Sequence, residues 1–96
     1  MNNLNENKSE ICESKIYRQT DFACVAALYA LGYKLDFLDS SRSDGRVEFC
    51  FIKEDGLEDM VQAHYSGKLN LPTINYFSAQ RILKARLKNE VNRGQR

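Results

Sequence analysis

The chain has 96 residues, with 14 Lys and Arg against 13 Asp and Glu, a formal charge of +1, and 43% hydrophobic residues. Two independent cores would each need about 50 residues, so this length predicts one small domain. It holds no run of about 18 apolar residues and no charged-then-apolar N-terminus, so neither a transmembrane span nor a secretory signal is expected.

Residues 1–14 are mostly Asn, Glu, Ser and Lys, with isolated Leu4, Ile11 and Cys12. They bury too little to offset the entropy of ordering, and a disordered tail is expected there. A single domain is expected over 15–91 and a frayed basic end over 92–96. Lys15 to Arg18 reads as a short strand with Ile16 inward. Thr20 is expected to cap a helix from Asp21 to about Leu31, with Asp21 placed where the helix dipole favours a carboxylate. The stretch Phe22 to Leu31 has no polar face, which predicts a helix covered on more than one side. Gly32 should close it as a left-handed residue.

A hairpin follows. Tyr33, Leu35 and Phe37 alternate with Lys34 and Asp36, Asp44-Gly45 signals a turn, and Val47, Phe49 and Phe51 alternate with Glu48. Strict alternation turns Phe37, Phe49 and Phe51 into the core and points Leu38, Cys50 and Ile52 at the other face. Leu57 to about Ser66 reads as a second helix, with Leu57, Val61 and Tyr65 as its apolar stripe and Met60 beside them. Pro72 opens a third helix running to about Asn89, with Tyr76, Ala79, Leu83 and Leu87 on its inner side. Strand, helix, strand, strand, helix, helix is the order of an α+β domain, a small three-stranded sheet packed by three helices.

Much of this pattern resembles a family of short uncharacterised domains found in bacteria, phages and integrated mobile elements. The matching pieces are Lys15-Ile-Tyr-Arg-Gln-Thr-Asp-Phe22, the Ala- and Leu-rich helix ending at Gly32, and Val47-Glu-Phe-Cys-Phe51. Met60-Val-Gln-Ala-His-Tyr-Ser-Gly67 and Asn75-Tyr-Phe-Ser-Ala-Gln-Arg-Ile-Leu-Lys-Ala-Arg86 continue it, so the resemblance covers about residues 15–87. It brings no activity to assign to residues. It implies a setting beside replication or integration genes, where a small protein assists a polymerase, primase or helicase.

Catalytic equipment is sparse. His64 is the one histidine and reads as a core-edge residue. Cys12, Cys24 and Cys50 form no C-x-x-C pair, which suggests a reduced, cytoplasmic compartment. With one histidine they offer no convincing set of metal ligands. Cys24 and Cys50 read as small buried hydrophobes. The acids gather at turns and helix starts, and each of the five glycines has a turn or cap duty, so no phosphate-binding loop is left. No cofactor, no metal and no enzymatic activity are expected.

Charge is unevenly spread. Residues 1–14 and 15–80 each carry −2, whereas 81–96 carry +5. Arg81, Lys84 and Lys88 fall within about 60° of one another on the third helix, and Arg86, Arg93 and Arg96 extend the basic segment. Such cations suit a polyanion backbone, although a helix C-terminus also prefers them for its dipole. Arg42 and Arg46 could widen that surface but stand beside Asp39 and Asp44. Leu38, Cys50 and Ile52, if exposed, would form an apolar patch for a protein partner or for a homo-oligomer.

Together with the phage or mobile-element setting that the resemblance implies, these features give an expected non-enzymatic accessory protein. It would dock on a larger DNA-processing protein through Leu38, Cys50 and Ile52. It would touch DNA through Arg81, Lys84, Arg86, Lys88 and Arg93. The alternative is an adaptor or inhibitor that binds protein and no nucleic acid.

Overall fold

β-branched and aromatic residues open β1 (Ile16–Gln19). It lies at one edge of a three-stranded antiparallel sheet of order β1-β3-β2, in which β2 is Leu35–Asp39 and β3 is Glu48–Ile52. With α1 (Phe22–Ala30), α2 (Leu57–Tyr65) and α3 (Thr73–Gly94), the chain has the strand-helix-strand-strand-helix-helix order and the α+β class that the sequence predicts. This computed structural model describes residues 15–94, so the expected tail over 1–14, including Cys12, and the final residues 95–96 lie outside the described residues.

Helix α1 is the centre. Cys24, Val25, Ala26, Ala27 and Leu28 are consecutive and all buried, so every side of the helix is covered, by α3, α2 and β1. Its cap differs by one residue from expectation. Asp21, not Thr20, is the N-cap, and its carboxylate accepts a hydrogen bond from the Ala23 amide at 3.1 Å. Thr20 is instead held one position outside, its amide donating to the Gln19 side chain. Gly32 follows the C-cap with φ 101°, a conformation in which a side chain would be strained.

The core forms between α1, one sheet face, and single stripes of α2 and α3. It joins Val25 and Leu28 to Phe49, Phe51, Leu57, Val61, Ala79 and Leu83. Each fully buried Leu or Phe contributes about 1.5–3 kcal/mol relative to exposure. Tyr76 and Leu87 pack against this cluster from the expected inner side of α3. Pro72 stands just before that helix, and its carbonyl accepts from the Tyr76 amide at 3.2 Å. No breaker intervenes after Asn89, and the helix continues through Gly94 rather than loosening at Asn92.

The hairpin departs from strict alternation. Leu35 pairs with Phe51, but a β-bulge then inserts an extra residue, so that Phe37 pairs with Cys50 and Leu38 with Phe49. A one-residue slip exchanges faces. Leu38 therefore packs on the core, and Phe37, expected inside, stands on the open face. Ile16 is buried as expected, yet it pairs with Ile52 on that same open face, while Tyr17 supplies the core contact. Tyr65 also leaves its expected stripe. It is 56% exposed, because α2 ends there and carries the ring beyond the core edge.

Candidate functional site

The open face of the sheet is organised by Arg18. Its register partner across β3 is Cys50, whose own neighbour on β2 is Phe37, so the three side chains form a row. Arg18 Nη1 donates to Glu48 Oε1 at 3.0 Å, to Asp39 Oδ2 at 3.2 Å and to Cys50 Sγ at 3.5 Å. Its guanidinium carbon lies 5.9 Å from the Phe37 ring centroid. Under this cover Cys50 has no accessible surface, and desolvation pushes its thiol up to about 11, with the Arg18 charge pulling the other way. A thiol so placed is neither a nucleophile nor a docking residue.

The apolar docking patch expected from Leu38, Cys50 and Ile52 is therefore not assembled. The bulge turns Leu38 inward, Arg18 covers Cys50, and Ile52 remains half-buried beside Ile16. Alternation read from the sequence has no signal for an inserted residue, which is why Leu38 and Phe37 exchange places.

Of the hairpin arginines, Arg42 is spent locally, whereas the Arg46 side chain is exposed and makes no ion pair among the described residues. Arg42 donates to Asp44 and to Glu48 Oε2, and those hydrogen bonds hold its guanidinium pKa above the usual value and that of Asp44 below the carboxylate range. The Arg46 amide donates to Asp44 Oδ1 at 3.0 Å. Asp39 is likewise held low, first by the Ser41 hydroxyl and then by the Ser41 amide. With Asp39, Asp44 and Glu48 against Arg42 and Arg46, this loop carries more acid than base and does not extend a basic surface.

A second polar cluster joins α1 to α2. Tyr65 Oη donates to Asp21 Oδ2 at 2.7 Å, which lowers the Asp21 pKa and raises that of the phenol. Gln19 ties the neighbouring backbone, accepting from the Thr20 and Asp21 amides and donating to Tyr17 Oη at 2.8 Å. Cys24 lies buried beneath, its thiol raised chiefly by desolvation. Every group here is engaged in closing the helix start. His64 stacks edge-on against Tyr65, with ring centroids 4.8 Å apart. It is half-buried, the core-edge position the sequence suggests.

The basic residues divide. Arg81, Lys84 and Lys88 are exposed on the outer side of α3, and none makes an ion pair among the described residues. Arg86 does not join them. It lies about 140° around the helix from Arg81. There it is half-buried in a cleft of about 300 Å³ with Asp36, Phe37, Leu38, Asn89 and Glu90. Its place beside Leu83 and Leu87 turns it toward β2. The side chains of Arg93 and Arg96 lie outside the described residues.

Two residues missed by the sequence reading share the outer face with the cations. Ile74 is 72% exposed and Phe77 is 64% exposed. At 100° per residue, Ile74, Phe77, Arg81, Lys84 and Lys88 fall within about 80° of one another. The signal was present in their spacing, but apolar residues at the start of a helix read naturally as core. The stripe containing Tyr76, Ala79, Leu83 and Leu87 fills the core, and Ile74 and Phe77 are left facing outward.

Among the described residues no group of three His, Cys, Asp or Glu side chains could hold a metal ion, and no helix is long and apolar enough to cross a membrane. Compared with family models, with curated proteins and with solved structures, the chain matches none.

Proposed function

We propose that this domain is a non-catalytic accessory module that contacts nucleic acid through the outer face of α3. The observation carrying this reading is that Arg81, Lys84 and Lys88 are exposed together with no carboxylate partner among the described residues. Arg18 and Arg42, in contrast, are neutralised by their neighbours. Cations left unpaired on one face raise the local positive potential. Each phosphate they meet releases condensed counterions, the source of salt-dependent affinity.

The resemblance over residues 15–87 favours a place beside a larger DNA-processing protein of a phage or mobile element, and cysteines that form no C-x-x-C pair favour a cytoplasmic one. Docking on that protein falls to the open sheet face, where Phe37 and Ile52 flank Arg18. Leu38 has no part in it.

The second reading is a protein-binding adaptor without nucleic-acid contact, and the exposure of Ile74 and Phe77 favours it, since neither needs an anion. Fluorescence anisotropy of labelled 20-nucleotide single strands and 20-base-pair duplexes separates the two. Binding at about 50 mM salt that weakens steeply by about 200 mM supports the first reading. No binding at the lower salt overturns it in favour of the adaptor.

A further inference from the structure

The outer face of α3 carries more than charge. Phe77 is one turn from Arg81, on the same stripe, and Ile74 precedes it by three residues; both are largely exposed. From Phe77 to Lys88 the stripe runs about 16 Å along the axis, with an aromatic at one end and three cations spaced three and four residues apart. A phosphate backbone alone explains the cations. It gives no reason for an open phenyl ring beside them.

Resting on the nucleic-acid reading above, we propose that this face binds a single-stranded polynucleotide, with Phe77 stacked on a base and Arg81, Lys84 and Lys88 holding the following phosphates. An unpaired strand exposes the π-faces of its bases, and an aromatic side chain next to a basic track is the arrangement that uses them. A duplex hides those faces in its stack, leaving the ring only groove edges and backbone to touch. Ile74, one position further along the stripe, supplies apolar contact to the next base or sugar. An anionic membrane surface fits less well. In-plane insertion needs a continuous apolar face set apart from the polar one, whereas the exposed apolar residues of α3, Ile74, Phe77, Ile82 and Val91, are scattered over about 180° and interleave with the cations.

The chain has no tryptophan, so a single substitution provides a clean reporter. In the full chain, Phe77→Trp fluorescence should be quenched on addition of oligo-dT or oligo-U of about 20 nucleotides at low salt. Inorganic polyphosphate, which has charge without bases, should leave it unquenched. A tryptophan at Ile82, about 100° around from Arg81, should respond to neither. Phe77→Ala should weaken single-strand binding about tenfold while leaving its salt dependence in place.

Equal affinity for strand and duplex, together with an unchanged affinity in Phe77→Ala, overturns stacking and leaves the charge reading standing. Equal quenching by polyphosphate overturns it as well. Binding to neither polynucleotide removes both proposals.

Discussion

Phe37 stands directly opposite Cys50 across the β2–β3 ladder, where unbroken alternation from Leu35 would have placed Asp36. That single inserted residue decides which side chains meet solvent. It also gives Arg18 its aromatic neighbour.

Leu38 and Phe37 should therefore behave opposite to their sequence pattern. Leu38→Ala, removing a half-buried contact with the core, should cost about 1–2 kcal/mol. Phe37→Ala forfeits an exposed cation–π contact worth about 0.5–1 kcal/mol. Urea denaturation of both variants checks the order. A greater loss in Phe37→Ala would contradict the bulged register.

Cys50 should be chemically silent while Arg18 covers it. In the native protein iodoacetamide should label Cys50 far more slowly than in urea, as read by mass spectrometry of the peptides. Arg18→Ala removes the cover and should accelerate native labelling. Labelling of the unaltered native protein at the rate of a free thiol would exclude this packing.

The hydrogen bond from Tyr65 to Asp21 predicts an acid-side effect. Asp21 has a lower pKa folded than unfolded, so its contribution is present above the unfolded value and is lost as pH falls through the folded one. Between about pH 5 and pH 2.5, Tyr65→Phe should lose less stability than the parent, because the phenol is the largest cause of the shift. Asp21→Asn keeps an N-cap and removes the titration, and should lose less still. Identical losses in all three proteins would show that Asp21 does not couple to acid unfolding.

How far the sequence reaches depends on how local the signal is. The unbroken apolar run from Phe22 to Leu31 foretells a covered helix because such a surface has no side to give to water. Tyr76, Ala79, Leu83 and Leu87 are legible for the same reason, since helical period and burial agree. The bulge is illegible. Asp36 is an ordinary polar residue in an alternating strand, and only the pairing partner reveals that it is extra. Thr20 and Asp21 are both good caps, and the choice between them depends on Gln19 and Tyr65, residues that meet only in the fold.

On the candidate face, the azimuths of Arg81, Lys84 and Lys88 follow directly from their spacing. Arg86 shares their charge, but its angle assigns it to the cleft against β2. The outward azimuths of Ile74 and Phe77 also follow from spacing, and the structure adds that no other described element covers them.

The most direct test of the central claim is the salt dependence of single-strand binding, compared between the parent and a triple variant, Arg81→Gln, Lys84→Gln and Lys88→Gln. All three positions are exposed, so the variant should fold as the parent does. Plotted as log affinity against log salt, three lost phosphate contacts should reduce the slope by about 2. A parent that binds with the same slope and affinity as the triple variant would contradict the assignment of this face.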